Sequence, residues 1–185
     1  MWCSYRPPEE LLKLYYSDYE APKYWTKMLV NTNAERKILQ HKPRVDYLIS
    51  ILKKDPSFNH RVAIDIGAGT GTFALSLKDT AFFQKVLALD FDVDCADICR
   101  KNGLDVVHAT VDDLETNFAD LIVTNDLIEH LFDPKKFIKK CYDVLSENGY
   151  LTIACPNGEG FDFKILKEKT VNITPPEHLN YFNPF

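Results

Sequence analysis

A chain of 185 residues with 45% hydrophobic and 26% charged residues has the size and composition of one soluble domain with a sizeable core. Its formal net charge of -5 leaves no overall electrostatic footprint for nucleic acid or an anionic membrane surface. No apolar run approaches the roughly 18 residues of a membrane span, and the opening MWCSYRPPEE lacks the apolar stretch of a secretion signal.

Five cysteines, scattered and odd in number, do not make a disulfide framework. They indicate a reducing, cytoplasmic setting. Cys95 and Cys99, at i and i+4, are expected to be small buried hydrophobes rather than zinc ligands.

Residues from about 8 to 52 read as helical, because PEELLKLYYSDY and PRVDYLISILKK repeat apolar residues at helical spacing with proline near the first turn. The dense aromatic residues here (Tyr15, Tyr16, Tyr19, Tyr24, Trp25) are expected to pack this segment onto the main domain, with a binding lid as the alternative. KKDPSFNH is a polar linker, so the organisation is a helical cap over residues 1–57 and a second unit over 58–185.

From Arg61 onward, short apolar runs alternate with amphipathic segments. RVAIDIG, KVLALDFD, LDVVHA, ADLIVTND and YLTIACPN are five strands. TGTFALSLKD, DVDCADICRKNG (with Gly103 as its cap) and PKKFIKKCYDVLSENG (Pro134 to Gly149) are the helices between them. Nearly all-apolar strands separated by helices predict a doubly wound, Rossmann-like α/β fold, with a parallel sheet covered on both faces.

IDIGAGTGTF places Gly67, Gly69 and Gly71 between the first strand and a helix, where the backbone can approach a ligand and offer amide donors. Asp90 ends the next strand about 20 residues on, the distance at which a carboxylate meets ribose hydroxyls in such folds. The spacing therefore predicts an adenosine-type ligand at the carboxyl ends of the first two strands. A dinucleotide fingerprint would have its third glycine at Thr72, and the Gly-Lys-Ser/Thr ending of a phosphate-binding loop is absent.

VAIDIGAGTGTFAL resembles motif I of the class I S-adenosylmethionine-dependent methyltransferases. NDLIEHLFDPKKFIKKCYDVLSENGYLTIACPN and PPEHLNYFNPF resemble the fourth-strand-to-fifth-strand region and the following segment of the branch that includes ubiquinone-biosynthesis O-methyltransferases. The resemblance covers about residues 61–185 and implies S-adenosylmethionine as cofactor. It implies that Asp65 and the backbone of Gly67, Ala68 and Gly69, followed by Gly71, lie near the methionine portion. Asp90 would take both ribose hydroxyls, and Phe91 would lie beside the adenine. The amide of Val111 would reach the adenine edge, where Asp112 or Asp113 is open as the accompanying carboxylate, and Asn125 would line the methionine end. The family sheet has seven strands, and five are counted before Phe185. YRPPEELLKLYYSDYE resembles a segment that follows a cysteine-rich zinc ribbon in some relatives, so Cys3 reads as the remnant of such a module.

In TNDLIEHLFDPKKF, helical spacing would set Asp126, Glu129 and His130 on one face with Leu127, Ile128 and Leu131 behind. Three readings stand open. His130 is a general base oriented by Glu129 or Asp126; or Asp126, Glu129, His130 and His178 hold a divalent cation, in keeping with a Glu-x-x-Glu-His arrangement in some relatives; or the residues brace the loop. His178 is also a candidate for contact with substrate. A metal is not the expectation. The activity expected is methyl transfer to a hydroxyl of a small molecule, sugar or lipid precursor, with no membrane or nucleic-acid partner. A metal-assisted RNA 2′-O-methyltransferase-like enzyme and a non-catalytic cofactor-binding module are the alternatives.

Overall fold

The computed structural model of the chain describes residues 6–18, 20–170, 172 and 177–183. Cys3 and Tyr19 lie outside the described residues, as does the side chain of Tyr16. Helices α1 (Glu9–Asp18), α2 (Glu20–Arg36) and α3 (Lys42–Leu52) come first, with a π-helical turn, Lys37–His41, between the last two. Pro43 has no N–H to donate, and its ring crowds the carbonyl one turn back. The helix accordingly widens just before it, with the Lys42 amide reaching the Lys37 carbonyl.

There follow β1 (Val62–Ile66), α4 (Thr72–Asp79), β2 (Lys85–Asp90), α5 (Val93–Lys101), β3 (Asp105–His108), β4 (Ala119–Asn125), α6 (Pro134–Val144), β5 (Leu145–Ala154) and α7 (Phe161–Leu166). All pairings are parallel, in the order β3-β2-β1-β4-β5. The period-two alternation of the strands splits the core into two layers. Ala63, Val86, Ala88, Leu121 and Val123 face α3, α4 and α5 through Leu48, Leu52, Phe73, Leu77 and Cys99. Ile64, Ile66, Leu87, Leu89 and Ile122 face α6 through Phe137, Cys141 and Val144. The doubly wound sheet is thus as the sequence predicts, and the chain reverses its direction of winding between β1 and β4. That switch point is where such sheets open a cleft. No helix among the described residues is long and apolar enough to cross a membrane.

Two expectations are corrected. The helix from Pro134 ends at Val144, not at Gly149. Leu145 pairs with Ala119, and the register then jumps so that Leu121 meets Tyr150. Asn148 in a left-handed conformation and the crowded Gly149 form the bulge, with the Ser146 hydroxyl bonded to Asp120 at 2.7 Å. The aromatic residues of α2 do not pack inward either: Tyr24 is 67% and Trp25 46% exposed, and the cap is seated by Leu12, Leu29 and Asn33.

At the opposite end of the sheet from the cleft, the buried Asp120 joins three strands. It accepts from the amides of Arg61 (2.8 Å) and Val62 (3.0 Å), from the Arg61 guanidinium (2.8 Å) and from Ser146. Burial alone would raise its pKa, but these donors hold it below the ordinary carboxylate value. Asp120→Ala is expected to lower unfolding free energy by about 2–4 kcal/mol at neutral pH, read from urea midpoints. A depressed folded-state pKa contributes stability above the unfolded value of about 4 and loses it as pH falls through the folded value. The deficit of the variant should therefore shrink in acid; a deficit independent of pH would refute the assignment.

Candidate active site

β1 runs out at Ile66, and the chain turns over the sheet before α4 begins at Thr72. Gly67 and Gly71 have φ of 70° and 76°. A Cβ at Gly67 would stand 3.0 Å from Leu127, and one at Gly71 would overlap Leu104 and Cys99 at 2.6 and 2.7 Å. Gly71 needs glycine for space as well as for conformation, and at Gly67 the positive φ is the constraint. The amides of Gly67 and Ala68 turn back to the Leu89 carbonyl, and the Gly69 amide donates to the Asp90 carboxylate at 2.7 Å. From α2, Asn33 accepts from the hydroxyls of Thr70 (2.8 Å) and Thr72 (2.7 Å), so the cap holds the loop from outside.

Two cavities meet at Gly67. The larger, about 550 Å³, is lined by Leu89, Asp90, Phe91, Val111 and Asp112, with Leu127 and Phe132 opposite. Asp90 also accepts from the Asp92 amide at 2.9 Å. Each of its oxygens keeps a lone pair for a further donor, and burial raises its pKa. Of the two neighbouring acids, Asp112 lines the cavity and pairs with Lys136 at 3.3 Å. Asp113 instead caps its own turn through the Thr110 amide and hydroxyl, both at 2.9 Å. The smaller cavity, about 270 Å³, is lined by Asp65, Gly67, Ala68, Gly69, Asn125 and Asp126 from the sheet and by Leu29, Arg36 and His41 from the cap. Asp65 is buried, and its pKa is pushed up to about 7 by loss of solvent, with the charge of Asp90 adding to the rise.

The segment after β4 is not the helix that its spacing predicts. Asp126 takes a left-handed φ of 51°, and only Ile128–His130 make a single 3-10 turn. Asp126, Glu129 and His130 therefore do not share a face. Asp126 goes to the smaller cavity near Arg36, whereas Glu129 and His130 turn toward His178. Glu129 is 2% exposed, neither carboxylate oxygen has a hydrogen-bond partner, and burial lifts its pKa to about 7, with Asp126 adding to the rise.

The His130 and His178 rings lie edge to face, 4.7 Å apart. His130 Nδ1 faces the Glu177 carbonyl at 2.9 Å and His178 Nδ1 the Asn172 carbonyl at 2.8 Å. Carbonyls only accept, so Nδ1 carries a proton in each ring. Burial, helped by His178, pushes the His130 pKa down to about 4. Glu129 therefore does not orient the His130 ring; a backbone carbonyl does.

Residues that the sequence motifs do not reveal complete the site. The amides of Leu179 and Asn180 both donate to the Glu129 carbonyl, at 2.8 and 3.0 Å. The Asn180 side chain donates to the Leu131 carbonyl at 2.7 Å and accepts from Arg6 at 2.7 Å. Tyr15 donates to the Glu177 carboxylate. Arg36 closes α2 and His41 closes the π-helical turn after it, for which Pro43 is the legible signal.

The sequence pattern of the family described as "Methyltransferase domain" matches residues 64–153. The phosphoethanolamine N-methyltransferase 1 of Caenorhabditis elegans is 31% identical over 74% of this chain and 29% of its own length. The ubiquinone biosynthesis O-methyltransferase of Vibrio vulnificus is 26% identical over 76% of this chain and 64% of its own. The chain thus spans less than two thirds of either relative. A solved S-adenosylmethionine-dependent methyltransferase of Thermotoga maritima, described as a possible histamine N-methyltransferase, superposes with a TM-score of 0.58 at 28% identity, covering 87% of this chain and 74% of that one. The cofactor fits the residues present: glycines whose missing Cβ leaves the loop open, a carboxylate with spare lone pairs at the end of β2, and donors without partners in the adjoining cavity. Pattern, relatives and sheet order agree: the chain belongs to the class I S-adenosylmethionine-dependent methyltransferases, with S-adenosylmethionine as its cofactor.

Proposed function

We propose that the protein transfers the methyl group of S-adenosylmethionine to a hydroxyl of a small molecule, sugar or lipid precursor, and that Glu129, with His130 and His178 beside it, takes up the hydroxyl proton. In this reading Asp90 holds the ribose, Phe91, Val111 and Asp112 flank the adenine, and Asp65, Gly67, Ala68, Gly69 and Asn125 face the amino-acid arm. When bound, the cofactor supplies a methyl group on a sulfonium, already a good leaving group. The protein's part is to hold the acceptor in line and to remove its proton.

The observation that carries the reading is the buried, unpartnered carboxylate of Glu129, which follows closely on Asp126 and Leu127, residues that line the two cavities. A proton acceptor works best with a pKa near the working pH. Glu129, at about 7, meets that condition better than His130, at about 4. The roles considered from sequence are therefore exchanged, with Glu129 as base and His130 shaping its surroundings. A hydroxyl oxygen is a weak nucleophile until its proton leaves, so a buried base favours oxygen over an amine. The name of the Vibrio relative agrees, while that of the nematode relative carries a nitrogen acceptor.

A second reading rests on one further observation. Ligand atoms of Glu129, His130 and His178 all lie within 4.8 Å of one another. Both rings are braced through Nδ1 by carbonyls, as metal-binding histidines usually are. One carboxylate and two imidazoles suit manganese or zinc, and such an ion would orient a diol acceptor. Asp126 stands outside this set.

Asp90→Ala is expected to weaken S-adenosylhomocysteine binding by about 1.5–3 kcal/mol in calorimetry; unchanged affinity would sink the seat assigned to the ribose. Over a panel of catechols, sugars and lipid precursors, methyl-release activity should rise with pH through an ionisation near 7, because Glu129 must be ionised to accept a proton. Glu129→Gln should remove that limb and about 10²–10⁴ of the rate, while His130→Ala keeps cofactor binding and loses turnover. A wild-type profile in Glu129→Gln would exclude it as base. Loss of activity in EDTA, restored by manganese or zinc, would replace the base reading with the metal reading.

A further inference from the structure

The Glu129 carboxylate is held in place by no hydrogen bond of its own. Both oxygens are buried without a partner, so the orientation of the group rests on the backbone of the 3-10 turn Ile128–His130. That turn makes two bonds within itself, from the His130 amide to the Leu127 carbonyl (3.0 Å) and from the Leu131 amide to the Ile128 carbonyl (3.3 Å). Its remaining support comes from residues 177–180. The Leu179 and Asn180 amides donate to the Glu129 carbonyl at 2.8 and 3.0 Å. The Asn180 side chain, 7% exposed, donates to the Leu131 carbonyl at 2.7 Å and reaches those of Ile128 and Glu129 at 3.4 and 3.3 Å. The Glu177 carbonyl, in the same strap, accepts from His130 Nδ1 at 2.9 Å. A four-residue strap is thus the template for both Glu129 and His130.

Asn180 serves as a template only while its amide is turned with the nitrogen toward the turn. Arg6 sets that orientation. A guanidinium only donates and a carbonyl only accepts. Arg6 gives one bond to Asn180 Oδ1 at 2.7 Å and another to the Phe132 carbonyl at 3.0 Å, which leaves the Asn180 nitrogen to face Leu131. The cation also polarises the amide it binds and strengthens that donation. Tyr15, on α1, adds a second tie to the strap through the Glu177 carboxylate. We propose that Arg6 and Asn180 are a clasp that positions Glu129 and His130 for removal of the acceptor's proton. This deepens the proposed function and rests on Glu129 and His130 acting in it. Both are positioning residues, acting through the backbone of residues 128–131. Their importance follows from the bare Glu129 carboxylate: a side chain without contacts is placed only as well as its backbone, and a shift of about 1 Å at a reacting group costs on the order of 10²-fold in rate.

Asn180→Asp keeps the oxygen that Arg6 binds and removes the N–H groups aimed at the turn, so it releases the turn while the N-terminal segment stays tied. Over the acceptor panel its kcat should fall by about 10–100-fold, with S-adenosylhomocysteine affinity within a few-fold of wild type in calorimetry. Arg6→Ala should lose turnover to a similar extent and regain part of it in millimolar guanidinium, which refills the missing fork. Arg6→Lys, a point charge in place of a fork, should keep only part of the rate. An acceptor-free readout is the His130 Nδ1–H resonance in nitrogen-edited NMR. Bonded to the Glu177 carbonyl, it should be visible in wild type, lost in Asn180→Asp and Arg6→Ala, and restored in Arg6→Ala by guanidinium. Its persistence in both variants, or wild-type kcat in them beside a lowered melting midpoint, would overturn the clasp and leave these contacts to stability alone. Parallel loss of cofactor affinity and kcat would overturn it equally. Wild-type turnover in Glu129→Gln would end the reading on which the clasp rests, whereas wild-type turnover in Asn180→Asp beside an inactive Glu129→Gln would end the clasp alone.

Discussion

The hydrogen bond from the Gly69 amide to the Asp90 carboxylate is the contact on which the cleft depends. It joins the loop leaving β1 to the end of β2, and it fixes the carboxylate that flanks the larger cavity. Two constraints converge there. The loop must climb over the sheet with positive φ at its glycines, and a charged group must sit in a buried position at a strand end. Each satisfies the other, because the carboxylate provides an acceptor for an otherwise unpaired amide and the amide provides a donor for a desolvated anion. Gly71 allows the same turn to pack directly on Cys99 and Leu104, which seats α4 and α5 side by side.

The second organising feature is the break after β4. A regular helix beginning at Asp126 would have presented its acids and histidine together. The left-handed Asp126 instead sends consecutive groups to different places: Asp126 to the smaller cavity, Leu127 against Gly67, and Glu129 toward the segment 177–180 that carries His178. The Glu129 carbonyl accepts two amides from that distant segment while its carboxylate accepts none. A backbone so well satisfied can hold a side chain that is not, and unsatisfied buried groups mark places where chemistry or a ligand is to be expected.

The N-terminal helices are more than a cover. α3 shares a core with α4 and the sheet, Asn33 binds the threonines of the glycine loop, and Arg6 and Tyr15 reach the segment that carries His178. Their exposed aromatic residues do none of this. The polar contacts set the cap in place, that of the Tyr15 hydroxyl among them, while Tyr24 and Trp25 stay exposed.

The sequence by itself determined the doubly wound sheet, the glycine loop, the acid at the end of β2 and the family. All of these are written in periodicity and short spacing: alternation in strands, glycine where φ must be positive, a carboxylate one βα unit downstream. It could not decide the arrangement after β4, because a single left-handed residue undoes helical spacing and nothing local forbids the helix. Nor could it decide which of Asp112 and Asp113 faces the cavity, since both suit the cap of a short turn. The Glu129–His130–His178 cluster spans 48 or more positions to His178, and the Arg36–His41 wall faces a loop 26 or more positions downstream; only tertiary packing brings such residues together. Local spacing reports the backbone's own hydrogen bonding, whereas a site's electrostatics depend on what other segments bury beside it.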